Sequence, residues 1–169
     1  MDIFIRILDE KDAEMYQVLR LTALTTNPEA FGSTYEREMQ FSIEEIKQRI
    51  VPSEKRISLG VFDESNVLIG IVTFIRETSI KMQHKGHIVG LYISAASRGQ
   101  GVGNCLLTEM IELVRNWDGL EQISLTVVST NLSAKHLYSS LGFKVYGTEK
   151  KAIKYEDQYY DEELMVLFL

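Results

Sequence analysis

The sequence predicts one α/β domain over residues 1–169, a mixed sheet covered by helices on both faces. Three observations carry that expectation. Alternating or Val/Ile/Leu/Phe-rich runs mark seven strands. Four stretches of helical period interrupt them, in the order β-α-α-β-β-β-α-β-α-β-β. No segment resembles a linker: there are two prolines and eleven glycines in 169 residues, with no repeat or low-complexity tract.

Ile3, Ile5 and Ile7 alternate with Phe4 and Arg6, a period of two that makes the first strand. Asp9 caps a helix from about Glu10, with Met15, Val18, Leu19 and Leu21–Thr22 at helical spacing. That helix ends before Asn27–Pro28, because the residue before a proline is pushed out of the helical region. Ser42 to Glu45 has the capping-box pattern, so Ile43, Ile46 and Ile50 form a short amphipathic helix that stops at Val51–Pro52. Arg56–Phe62, Val67–Arg76 and His87–Ile93 read as strands, and the Asp63–Asn66 turn makes the first two antiparallel neighbours. The helical period returns from Gly103 to Trp117, with Val102, Leu106, Met110, Leu113–Val114 and Trp117 on one face. Ile123, Leu125 and Val127 form the fifth strand. Asn131–Leu141 is a short helix with Ala134, Leu137, Tyr138 and Leu141 on one side and Gly142 as its stop. Phe143 to about Ile153 and Gln158–Leu169 close the chain as two strands joined by a polar turn.

Composition excludes several functions. Eighteen Lys+Arg against 24 Asp+Glu give a net charge of −6. That leaves no basic surplus to neutralise a phosphate backbone, so no nucleic-acid partner is expected. The longest apolar runs, Gly70 aside, are about six residues (Leu164–Leu169), far below the ~20 of a membrane span. No basic stretch followed by a long apolar one opens the chain, and the lone Cys105 has no internal partner, so a cytoplasmic location is expected. Three histidines and one cysteine without paired spacing make no metal site. Cys105, one turn into its helix, reads as a packing residue.

The segment with chemical content runs from Val89 to Leu107, where a strand enters a glycine-rich turn that opens a helix. Gly99, Gly101 and Gly103 strip side chains from the turn, so backbone N–H groups can converge on a guest. A helix start has orphan donors and a partial positive charge, which together suit a pyrophosphate. The bland alternative is a tight connection and nothing more. Two nucleotide motifs fail here. A P-loop needs Gly-Lys followed by Ser or Thr, where this chain has Gly103-Asn104-Cys105. The G-x-G-x-x-G fingerprint needs glycine at 104 or 106, and Asn104 and Leu106 stand there.

Arg98 to Gly103 does match R/Q-x-x-G-x-G/A. Leu91-Tyr92-Ile93 precedes it, and Asn131 to Phe143 follows the pattern N-x-x-A-x-x-L-Y-x-x-x-G-F. With these three motifs in this order, the chain resembles the GNAT N-acetyltransferase superfamily over nearly its whole length. The resemblance implies a mostly antiparallel sheet of about seven strands, with a splay between the fourth and fifth. It implies acetyl-CoA as co-substrate in that splay. Backbone groups of Leu91, Tyr92 and Ile93 would then run along the pantetheine arm. Arg98, Gly99, Gln100, Gly101, Val102, Gly103 and Asn104 would surround the pyrophosphate. An N–H near Leu91 would polarise the thioester carbonyl. Asn131 would bond the pantetheine, although a helix cap alone explains an Asn there.

The activity so implied is acetyl transfer to a primary amine by direct attack. Tyr138 matches the family's proton donor to the leaving thiolate; packing of helix against sheet, beside Ala134 and Leu141, is the competing reading. A carboxylate that some members use as base has no counterpart in Ser124-Leu125-Thr126. Others use a residue on the strand before the signature. There His87 shares a face with Val89, Leu91 and Ile93, and histidine as a residue type accepts protons near neutral pH. A solvated His87 at a strand start, Glu77 as base, and a water chain stay open beside it.

The acceptor pocket implied by the resemblance includes the loop Asn27–Glu36. Phe31 and Tyr35 would be its walls, with Glu36 and Glu29 drawing in a cationic amine; a buried Phe31 beside solvated acids is the alternative. Tyr155, Tyr159 and Tyr160 with Glu156, Asp157 and Asp161 add an acidic aromatic rim. The acceptor read from these residues is a polyamine, amino sugar or other small amine, with a protein N-terminus or lysine as the rival. A non-catalytic CoA-binding module on the same fold is a further rival. The apolar closing strands suit a homodimer.

Overall fold

The computed structural model describes residues 2–169. Seven strands form one sheet: β1 Ile3–Ile7, β2 Arg56–Asp63, β3 Leu68–Arg76, β4 Lys85–Ile93, β5 Gln122–Val128, β6 Lys144–Tyr155 and β7 Gln158–Phe168. Their order is β1-β2-β3-β4-β5-β7-β6. Every neighbouring pair is antiparallel except β4 and β5. Those two are parallel and pair only through Lys85–His87 against Gln122–Ser124. Beyond that point they part, which is the expected splay.

Five α-helices cover the two faces: α1 Ala13–Thr26, α2 Tyr35–Glu38, α3 Ile43–Ile50, α4 Val102–Arg115 and α5 Leu132–Ser140. On one face Leu106, Met110 and Val114 of α4 pack against Leu59, Val72, Phe74 and Ile123. On the other, Tyr16, Leu19 and Ala23 of α1 and Ile46 and Ile50 of α3 pack against Phe62, Ile71 and Tyr92. Local chemistry sets the helix starts. Asp9 and Asp12 make a reciprocal capping box over a 3-10 turn at Glu10–Asp12, and Ser42 and Glu45 make another at α3. The Asp63 carboxylate accepts from the backbone N–H groups of Ser65 and Val67, both at 2.9 Å, and so closes the β2–β3 turn.

Several expectations need correction. The buried face of α1 is Tyr16, Leu19, Arg20, Ala23 and Leu24, whereas Val18 is 68% exposed and Met15 lies at the surface. The apolar residues at 15 and 18 misled because the packed stripe is completed by an arginine. Cys105 is exposed and stands outside both core clusters. The four-residue α2 has no apolar period to announce it.

His87 does not share a face with Leu91 and Ile93. Val89 faces Thr73 and Tyr92 faces Ile71, so β4 spends three residues where β3 spends two. The extra residue is absorbed at Gly90, whose φ is +65°. Ile88, Leu91 and Ile93 therefore turn to the α4 core, while Tyr92 joins the α1 core. His87 and Val89, flanking Ile88 on an alternating strand, point to the α1 side.

Candidate active site

Where β4 and β5 part, a cleft of about 760 Å³ opens. Its floor is the C-terminal end of β4, Leu91, Tyr92 and Ile93. One wall is the start of α4 with its preceding turn, from Arg98 to Asn104 without Gln100. The opposite wall is Asn131 with Ala134, Leu137 and Ser140 of α5, and Asn27, Glu29, Ala30 and Phe31 lie at one end.

The glycine turn is built as a cradle. Gly99 and Gly101 have φ of +73° and +79°, a left-handed conformation that costs other residues strain. A β-carbon at Gly103 would lie 3.2 Å from the end of the Leu137 side chain, which would have to give by a few tenths of an ångström. The Cys105 N–H donates to the Gly101 carbonyl at 3.0 Å. The N–H groups of Val102, Gly103 and Asn104 come before it in the first turn, so they are the orphan donors of α4, and all three residues line the cleft. The donor set fits an anionic diphosphate.

Arg98 braces this turn. Its Nε donates to the Ile93 carbonyl at 2.9 Å, its Nη2 donates to Asn27 Oδ1 at 2.8 Å, and its guanidinium lies 5.2 Å over the Tyr92 ring. The Tyr92 hydroxyl shares a 3.0 Å hydrogen bond with the Thr26 hydroxyl. One arginine thus ties the end of β4, the turn and the end of α1 together. Gln100 faces away from the cleft and donates to the Ala96 carbonyl. Asn131 Oδ1 accepts from the Ala134 N–H at 3.2 Å, which is its cap role.

Fold and cleft agree with a single family. Residues 5–164 match the family described as an acetyltransferase (GNAT) domain. The chain belongs to the GNAT acetyltransferase family. A GNAT-family acetyltransferase from Streptococcus pneumoniae is 25% identical, with 99% of this chain and 100% of that one covered at a TM-score of 0.88. A GCN5-related N-acetyltransferase from Kribbella flavida is 22% identical over 99% and 98% of the two chains, with a TM-score of 0.84, a likeness of fold. The L-amino acid N-acetyltransferase AaaT of Escherichia coli (strain K12) is 36% identical over 75 residues. That match spans 42% of this chain and 46% of the E. coli protein.

Two residues singled out in this GNAT chain lie off the cleft wall. Tyr138 is 7% exposed, packed edge-on to Phe143 with ring centroids 6.0 Å apart. Burial pushes its phenol up to about 12. His87 stands at the foot of the fork, where β4 last pairs with β5, and its Nδ1 is 3.6 Å from Glu77 Oε1.

On the acceptor side Phe31 lines the cleft, its ring centroid 6.5 Å from that of Tyr92. Tyr35 and Glu36 are exposed and stand outside the cleft lining. The charge of Glu156, and further off those of Glu36 and Glu29, hold the Tyr155 phenol above its ordinary value. The β6–β7 tip therefore faces the loop after α1, as an acidic rim.

Periodicity missed the polar centre behind this rim. Arg20 Nε and Nη2 donate to Glu38 Oε2 and Oε1 at 2.9 and 3.0 Å, a bidentate pair between α1 and α2. Arg49 of α3 is 3.8 Å from Glu38 Oε1. Burial raises the Glu38 carboxyl, but the Arg20 hydrogen bonds and charge outweigh it, so Glu38 stays below its ordinary range. Burial, and then the like charges of Arg49 and Arg20, pull the Arg56 guanidinium below its ordinary value. Among the described residues no group of three or more His, Cys, Asp and Glu is placed to hold a metal, and no helix is long and apolar enough to cross a membrane.

Proposed function

We propose that this protein transfers an acetyl group from acetyl-CoA to a primary amine by direct attack within a ternary complex. The observation that carries the reading is the fork itself: two parallel strands that part after three residue pairs, with a left-handed glycine cradle and the orphan donors of α4 at one lip. Acetyl-CoA supplies the acetyl thioester. Val102, Gly103 and Asn104 give N–H donors to its diphosphate, and the edge of β4 at Leu91–Ile93 offers strand-like hydrogen bonds to an extended arm. The Leu91 N–H, next to the bulge, polarises the carbonyl that the amine attacks.

His87 supplies the base. It points to the α1 side, with its Nδ1 3.6 Å from Glu77 Oε1. As the amine nitrogen bonds to the carbonyl carbon and the carbon–sulfur bond breaks, His87 takes the proton lost by nitrogen. Tyr138 gives one to sulfur from a phenol that burial keeps protonated. The E. coli relative is named for L-amino acids, which supports a small free amine over a protein acceptor. An acceptor screen that detects free thiol, with amino acids, polyamines, amino sugars and peptides side by side, tests the reading. Acetyl-CoA binding with amine-dependent thiol release is the expected result. Binding without release on any amine would leave a CoA-binding module instead.

A further inference from the structure

We infer that the acceptor amine carries a carboxylate, which a buried arginine cluster on the α1 side of the fork recognises; the inference rests on the transferase reading above. Three arginines from three elements lie near one another: Arg20 from α1 and Arg49 from α3 meet at Glu38, and their charges act on Arg56 from β2. Each keeps a buried nitrogen with no hydrogen-bond partner within the protein, Nη1 of Arg20, Nη1 of Arg49 and Nε of Arg56. Arg20 is 9% exposed. Glu38 is bonded to Arg20 and lies 3.8 Å from Arg49, so two guanidiniums share one acid. A buried guanidinium nitrogen left without an acceptor is costly, and a planar carboxylate is the group whose geometry matches it.

Position links the cluster to the reaction. Arg20 Nη1 lies 3.8 Å from where a β-carbon would stand on Gly90. Gly90 is the bulge residue immediately before Leu91, so the free nitrogen sits one residue from the floor of the fork. In an α-amino acid only one carbon separates the amine from the carboxylate carbon. An amine placed against the Leu91 end of the fork therefore sets its carboxylate beside Gly90 and Arg20. Phe31, with Arg20 5.0 Å above its ring and the Tyr92 ring centroid 6.5 Å away, lines the cleft and offers an apolar surface to the acceptor's side chain. The acidic rim of Glu29, Glu36 and Glu156 meets the ammonium on the way in. A polyamine suits that rim, but it has nothing for the arginines and is repelled by them.

The test compares, on the wild-type protein at saturating acetyl-CoA, each of several L-amino acids with its own carboxamide and its decarboxylated amine, and with spermidine. The expected result is a kcat/KM for the acid about a hundredfold or more above that of the amide, as losing two charge-assisted hydrogen bonds requires. Arg56→Gln should raise KM for the amino acid about tenfold, leave KM for acetyl-CoA unchanged and collapse the acid-to-amide ratio. If that variant does not fold, Arg20→Lys and the wild-type ratio carry the same test. Thermal stabilisation by the amino acid over its amide, read without acetyl-CoA, tests the carboxylate site apart from catalysis. Equal or better use of the amide, the amine or spermidine overturns the inference and leaves the transferase reading standing. A protein that binds acetyl-CoA but neither acetylates any amine nor is stabilised by any carboxylate overturns both readings. Failure to bind acetyl-CoA brings down the transferase reading, and the thermal shift then decides the carboxylate site alone.

Discussion

Gly101→Ala isolates the backbone contribution to the coenzyme cradle. Gly101 is the N-cap of α4 at a φ of +79°, and a β-carbon there would meet nothing within 4 Å. The cost is conformational only, about 1–2 kcal/mol for an L-residue in the left-handed region. Gly32→Ala is the matched control, because a β-carbon at Gly32 also meets nothing within 4 Å and its φ is not left-handed. Both variants stiffen the unfolded chain alike, so their difference cancels that effect. The strain can surface in two ways. If the turn keeps its shape, Tm falls by about 2–4 °C per kcal/mol in a chain of this size, so Gly101→Ala melts about 2–8 °C below Gly32→Ala. If the turn relaxes instead, the Val102, Gly103 and Asn104 donors rotate off the diphosphate, and Kd for acetyl-CoA rises about five- to thirtyfold. Scanning calorimetry and binding calorimetry on the same preparations read both. A Gly101→Ala protein that matches Gly32→Ala in Tm and in Kd refutes the cradle argument.

Three further outcomes are expected. Tyr138→Phe keeps the edge contact to Phe143 and should leave Tm and acetyl-CoA affinity nearly unchanged, while kcat falls about a hundredfold; since burial holds the phenol near 12, a wild-type alkaline loss of rate centred near pH 10 would contradict its role. His87→Gln should lower kcat about a hundredfold with acetyl-CoA affinity unchanged, and Glu77→Gln, acting only through His87, should lower kcat about tenfold yet add nothing in the double variant; additive losses would separate the pair. Asp12 is a stability switch: the Arg6 hydrogen bonds, both 2.7 Å, hold its carboxyl below the ordinary 3.8. Its contribution is therefore complete above that value and lost as pH falls through the lower folded value, so Asp12→Asn should cost about 1–3 kcal/mol at pH 7 and progressively less as the pH drops below 3.8, read by urea unfolding across that range.

Legibility followed the physics of each element. Strands and long helices announce themselves by period, and α4 buries Val102, Leu106, Met110 and Val114 at the spacing its sequence shows. The cradle was legible because its glycines have few other uses in a strand-to-helix turn. Arg20 and Glu38 were not. Each reads as a solvated charge, and the contact that buries them joins residues 18 apart through a helix of four residues. No local pattern encodes such a pair, since its stability comes from two groups desolvated together. Arg98 was legible as part of a motif, and the structure adds what its side chain holds. Its guanidinium is engaged by Ile93 and Asn27, so it shapes the turn through the backbone.

The bulge at Gly90 changes how the site residues relate. Strict alternation from His87 would put it on the same face as Leu91 and Ile93, on the side of the α4 core. One inserted residue reverses the phase, so β4 presents Leu91 and Ile93 to one face and His87 and Val89 to the other. A two-substrate reaction needs such an element, because coenzyme and amine approach the same carbonyl from different directions. Gly90 also borders Arg20: a β-carbon there would stand 3.8 Å from Nη1, an ordinary contact distance, on the side where the proposed acceptor carboxylate would lie. A side chain at this position would strain a φ of +65° and crowd that side together. Gly90→Ala should therefore damage KM for the acceptor more than KM for acetyl-CoA, the reverse of Gly101→Ala. The same ordering of the two constants in both variants would show that the bulge does not divide the two substrates.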